Sequence, residues 1–111
     1  MSEHVSTRVN SARLPFYIGK MVRLPCKILN FNSASATVQA ADGGEVIIRL
    51  IADIPMSDTF VEVIGNVVDA TTIKMMGCVN LGSDLDLKLV NDTIELIHDP
   101  RFYKRMFVPD S

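Results

Sequence analysis

The feature that most constrains this chain is a change of hydrophobic period near Ser83. Before it, apolar and polar residues alternate in short runs, the pattern of half-buried strands. Val22, Leu24, Cys26 and Ile28 share one face, with Arg23 and Lys27 on the other. Pro25 cannot donate to a ladder, which puts this strand at an edge or a bulge there. A turn over Asn30 to Ser33 leads to a second strand, in which Ala36, Val38 and Ala40 alternate with Ser35, Thr37 and Gln39. Asp42-Gly43-Gly44 is a hairpin turn, because glycine tolerates positive φ. Glu45 to Ile51 carries apolar residues on both faces and is expected to lie centrally. A connector from Ala52 to Asp58 follows. Thr59 to Asp69 is a valine-rich fourth strand whose Gly65 marks a bulge or a sharp bend. Thr71 to Leu81 is the fifth, with Ile73, Met75, Val79 and Leu81 assigned to one face.

Five strands in a row predict a small closed antiparallel sheet, since closure removes exposed edges. A chain of 111 residues suits one such domain. The five-stranded OB-fold barrel is the first candidate and an SH3-like barrel the second. Residues 1–10 read as an arm, 11–83 as the barrel, and 84–111 as a helix with its tail. A short helical turn is expected over Ser11 to Tyr17, capped by Ser11 and limited by Pro15.

Residues 85–98 contain neither glycine nor proline, and Pro100 ends the run. On a helical wheel Leu85, Leu89 and Leu96 fall within about 40° of one another, at 100° per residue. Leu87, Val90, Ile94 and Ile97 occupy a second arc from about 120° to 200°. Lys88, Asn91, Asp92, Glu95, His98 and Asp99 fill the remainder, and the acids Asp84, Asp86, Asp92 and Glu95 read mostly as a solvated face. The apolar surface spans about 200°, against a little over ~100° for a helix docked on one core. One arc suits the chain's own barrel, and the excess calls for a partner.

Catalytic signatures are missing. Asp42-Gly43-Gly44 is too short for a phosphate loop, and no GxSxG or HExxH occurs. His98 beside Asp99 reads as a side chain favoured near a helix C-terminus, not as an acid–base pair. Cys26 and Cys78 lack metal-site spacing and read as small apolar residues in a reducing compartment. No cofactor or metal is expected. Apolar runs are too short for a membrane span, and Met1 to His4 does not read as a secretory signal.

Charge bears on nucleic-acid binding. The net charge is −2, against the basic excess usual for a free-standing binder. Arg8, Arg13, Lys20, Arg23 and Lys27 nevertheless cluster toward the N-terminus and offer weak phosphate contacts. Nine acids lie between Asp53 and Asp99, with Lys74 and Lys88 the basic residues of that stretch. Stacking platforms need aromatics, and only Phe31 and Phe60 belong to barrel strands or their ends.

Thr7-Arg8-Val9-Asn10, then LPFYIGK over Leu14 to Lys20, resembles the opening of the smallest subunit of replication protein A. So do Leu85-Asp86-Leu87, Asn91, IELIHD over Ile94 to Asp99, and Phe102-Tyr103. The resemblance implies an OB-fold subunit of a nuclear heterotrimer that coats single-stranded DNA in replication, repair and recombination. It implies that the C-terminal helix joins helices of the large and middle subunits in a three-helix bundle, while those subunits supply most DNA contacts. Leu85, Leu89, Val90, Ile94, Leu96 and Ile97 are the expected interface residues. The alternative is an autonomous single-strand-binding OB module, such as a telomere-capping small subunit. A third reading is a generic β-barrel adaptor for proteins.

Overall fold

Strand β2 (Met21–Phe31) is long enough to pair with three other strands. Its first seven residues run antiparallel to β5 (Phe60–Asp69), and its second half runs antiparallel to β3 (Ser35–Ala40). Strand β3 pairs with β4 (Glu45–Arg49), β4 with β6 (Thr72–Gly82), and β6 with β5. The β2–β5 pairing therefore closes a ring. This is a computed structural model, and it describes residues 7–32, 34–50 and 58–99. The expected connector at 52–57, the stop at Pro100 and the Phe102-Tyr103 ending lie outside the described residues.

The five expected strands form the ring, with two corrections. An odd number of strands cannot alternate direction all the way round, so one neighbouring pair must be parallel. That pair is β4–β6, in register Ile47↔Thr72, Ile48↔Ile73 and Arg49↔Lys74. A sixth strand, β1 (Thr7–Arg8), runs parallel to β2 beside Val22 and Arg23. Two residues are too few to show a period, which is why the arm's pairing is not visible in the sequence.

Pro25 sits where β1 has ended and β3 has not begun, on a stretch of β2 with one open side. The bulge in the β2–β3 ladder falls later, between Ile28 and Asn30. Alternation sends Val22, Leu24, Cys26, Val38, Val46, Ile48, Val61, Val63 and Ile73 into a closed core. Burying each large aliphatic side chain contributes roughly 1.5–3 kcal/mol. Val9 and Leu14, from the segment before β2, are part of the same core.

Strand β4 does not bury both faces. Val46 and Ile48 point inward, while Ile47 is 45% exposed although its strand has neighbours on both sides. Being central in a ring covers a strand's edges, not its outer face. In β6, Ile73 and Met75 are core residues, but Val79 is exposed. The register steps from Gly65↔Met75 to Ile64↔Gly77, leaving Met76 unpaired. One extra residue inverts the side-chain parity beyond it.

Gly65 lies at that bulge, as its position in the strand suggests. A Cβ there would collide with the Lys74 carbonyl oxygen and the Ile73 side chain. The Asp42-Gly43-Gly44 turn also forms, with Gly43 at φ 95° donating to the Ala40 carbonyl at 2.9 Å.

The segment Ser11–Tyr17 forms a 3-10 turn with Pro15 inside it. Ser11 is its first residue instead of its cap, and Asn10 occupies the cap position without a capping side-chain bond. The exposed amides are met from the hairpin turn. Asp42 accepts from the Ser11 and Ala12 amides at 3.2 and 3.0 Å and from the Ser11 hydroxyl at 2.8 Å. Burial raises the Asp42 carboxyl, but these bonds and one from Gly44 outweigh it and hold the group below its usual range.

Gly65→Ala should destabilise the protein by about 1–3 kcal/mol, the usual cost of an added methyl in a packed site. Urea denaturation checks this; a variant with unchanged midpoint would mean that β5 and β6 can separate at the bulge without cost.

Candidate functional site

Helix α1 spans Leu87–Ile97. Asp86 caps it, its carboxylate accepting from the Leu89 amide at 3.1 Å, so Leu85 and Asp86 precede the helix proper. The absence of glycine and proline sustains the helix, and it ends at His98, whose amide donates to the Ile94 carbonyl at 3.2 Å.

The two apolar arcs have different fates. Ile94 is 1% exposed and is the helix residue that is fully covered; Val90 and Ile97 beside it are half-buried. Leu89 is 62% exposed and Leu96 47%. Leu85 is half-buried. A groove of about 290 Å³ separates the helix from the barrel, lined by Pro25, Leu81, Leu85, Leu89, Val90 and Ile94. Arg8 and Glu62 line it too. The arc through Ile94 docks on the chain itself, and the arc of Leu89 and Leu96 stays open.

The polar arc, which includes Glu95, an acid expected to be solvated, does much of the docking. Asn10, 1% exposed, donates from Nδ2 to Asn91 Oδ1 at 2.8 Å and to Glu95 Oε2 at 2.6 Å. Arg13 grips Glu95 with two bonds, Nη2 to Oε1 at 2.6 Å and Nε to Oε2 at 3.2 Å. His98 Nε2 donates to the Arg8 carbonyl at 2.9 Å, and its ring meets Tyr17 edge-on at 6.1 Å. Asn91, Glu95 and His98 recur at helical spacing, so they form one stripe. Polarity alone could not distinguish a stripe that meets water from one that meets Asn10 and Arg13. The bond from Arg13, then that from Asn10, holds the Glu95 carboxyl below its usual range.

The five N-terminal cations do not form one patch. Arg8 Nε lies 2.7 Å from Glu62 Oε2, and Arg23 Nη1 lies 3.3 Å from Glu62 Oε1. Arg13 is engaged with Glu95. Lys20 and Lys27 are exposed. Glu62 is 4% exposed and was not singled out by sequence reasoning. The available signal is its place as the one acid inside a valine-rich strand whose other acid, Asp69, is its last residue; Glu62 stands opposite Pro25. A buried carboxylate needs paired charge, and the two guanidiniums provide it. The Arg8–Glu62 pair also ties β1 to the ring.

A ring of five strands closed by one parallel pair and followed by a C-terminal helix is an OB-fold domain. Residues 1–103 match the family described as replication factor A protein 3, and the chain belongs to that family. Among solved structures it is similar to a chain of U. maydis replication protein A bound to single-stranded DNA. The identity is 28%, the TM-score 0.82, and the match covers 94% of this chain and 96% of that one. It is also similar in fold to a chain of the S. pombe Stn1–Ten1 complex, at 6% identity and TM-score 0.67, covering 84% of this chain and 91% of the other. The S. pombe telomere capping protein Ten1 gives 6% identity and TM-score 0.66, over 82% of this chain and 95% of that one. No sequence among the curated proteins matches.

Glu95→Gln should weaken the protein by about 0.2–1 kcal/mol at neutral pH, the range for exposed ion pairs. A depressed carboxyl pKa stabilises above the unfolded value, and that contribution is lost as pH falls through the folded value. The difference between wild type and variant in thermal melts should therefore be full at neutral pH and vanish below the ordinary glutamate range. A gap that persists unchanged into acid would rule out the Arg13–Glu95 pair as its source.

Proposed function

We propose that this chain is the small, non-catalytic assembly subunit of a nuclear heterotrimer that binds single-stranded DNA in replication, repair and recombination. The barrel carries α1, and α1 joins the large and middle subunits in a helix bundle. Residues 84–111 are the assembly region in this reading. The observation that carries it is the open arc of Leu89 and Leu96 on a helix whose opposite arc is already docked through Ile94. Two exposed leucines on one face of a helix suit a partner helix better than water. Membership of the replication factor A protein 3 family and the likeness to U. maydis replication protein A support the same reading. Leu85, beside the groove, extends the partner-facing arc, whereas Val90, Ile94 and Ile97 serve chiefly to seat the helix.

Most DNA contact belongs to the larger subunits in this proposal. Arg8, Arg13 and Arg23 already face carboxylates of their own chain, which lowers the positive charge they offer to phosphate. Lys20 and Lys27 are exposed, as is Arg8 beside Glu62, whereas Arg13 and Arg23 are half-buried.

The test is co-expression with the two larger subunits. Leu89→Asp should abolish co-purification and leave a folded chain with a near wild-type melting temperature. Ile94→Asp should lower stability by several kcal/mol, because it buries an unpaired charge. Normal assembly of the Leu89→Asp chain would remove α1 from the interface. Tight binding of single-stranded DNA by the chain alone would favour an autonomous binder instead.

A further inference from the structure

Arg49 and Lys74 stand directly opposite each other on the parallel pair β4–β6. Both are exposed, and both point outward, because Ile48 precedes Arg49 in the core while Ile73 and Met75 flank Lys74 there. Like charges placed directly opposite on a sheet are destabilising. The register extends their row across the ring as Ser35, Arg49, Lys74, Asn66 and Met21. At ~4.8 Å between strands the row is about 19 Å long, and it contains no carboxylate. Asp69 is near enough to Arg49 to feel its charge, but it belongs to the adjacent row and accepts from the Thr71 amide at 2.9 Å.

Apolar side chains lie on both sides of this pair. Ile47, 45% exposed, is one outward position back along β4. Met76, 47% exposed, is the residue that the bulge leaves unpaired two positions beyond Lys74. Two cations between two exposed apolar side chains match a chain that alternates phosphate with bases. The same surface is short of aromatics, so stacking contributes little and affinity is modest.

We propose that the Arg49–Lys74 row is a phosphate contact for single-stranded DNA, made by this subunit when the assembled complex holds a strand. The inference rests on the assembly reading above, and it assigns DNA contact to the β4–β6 face instead of to the N-terminal arginines. Three N-terminal guanidiniums face carboxylates of this chain, whereas Arg49 and Lys74 face each other.

Two measurements test it. In the reconstituted complex, the salt dependence of binding to an oligothymidylate is compared for wild type and Arg49→Gln/Lys74→Gln. Each phosphate contact on a single strand adds about 0.7 to the slope of log K against log salt, so the double variant should lose roughly 1.4. Lys88→Gln, on the exposed helix face, should leave the slope unchanged. Separately, the isotope-labelled chain is titrated with the same oligonucleotide at low salt. Backbone amides of 47, 49, 74 and 76 should shift, and those of 8 and 13 should not. If the complex assembles and binds DNA with the wild-type slope in the double variant, this inference fails while the assembly reading stands. If no complex forms, the assembly reading fails, and the titration still decides the row: stationary amides at 49 and 74 overturn it. Larger shifts of the same amides with a polyglutamate peptide would overturn it as well, in favour of an acidic protein partner.

Discussion

The pairing of β2 with β5 is the constraint on which the rest depends. Seven consecutive residues, Met21 to Lys27, take partners on β5 from Asn66 back to Phe60. Without that ladder the remaining strands would form an open sheet with two long edges, and the valines of β5 would lack a closed interior. With it, β2 serves three neighbours in turn, and the core gains a continuous wall. Closure also accounts for two irregularities. Five strands force one parallel pair, and the tight approach of β5 to β6 at Gly65 and Lys74 coincides with the bulge at Met76.

Outside the ring, polar contacts organise the molecule. Glu62 projects from the outer face of β5, where Arg8 and Arg23 cover it. Arg8 belongs to the short strand β1, and its carbonyl takes the bond from His98 at the end of α1. Asn10 and Arg13, a few residues on, hold Asn91 and Glu95. The N-terminal segment is thus a strap between ring and helix. The strap consists of hydrogen bonds, those to Glu95 charge-assisted, on a helix with one fully buried aliphatic residue, Ile94, so the helix is seated by polar geometry as well as by apolar area. That leaves the leucine arc uncommitted.

The polar strap also changes how the charge distribution is understood. Counted along the chain, five cations before residue 30 form a basic region. In space, three of them are matched to Glu62 and Glu95, which come from the acidic stretch. The apparent segregation of charge in sequence becomes pairing in the fold. Arg49 and Lys74, separated by 25 positions and inconspicuous in the sequence, become neighbours because β4 and β6 pair in parallel within the ring.

The sequence by itself determined the five ring strands, the hairpin at Asp42-Gly43-Gly44, the irregularity at Gly65, and a helix with more apolar surface than one core can cover. Those features follow from local rules: alternation, positive φ at glycine, and helical periodicity. Tertiary structure decided the rest. It settled which helix arc is seated, through Ile94, and which is open, through Leu89 and Leu96. It made Glu95, expected to be solvated, part of a docking stripe with Asn91 and His98, because a polar side chain's role depends on whether Asn10 and Arg13 or water stands opposite. It exposed Val79 through a single unpaired residue, Met76, since a period of two has no memory across a bulge. Burial of Glu62 likewise depended on elements distant in sequence: Arg8 and the helix that borders the same groove.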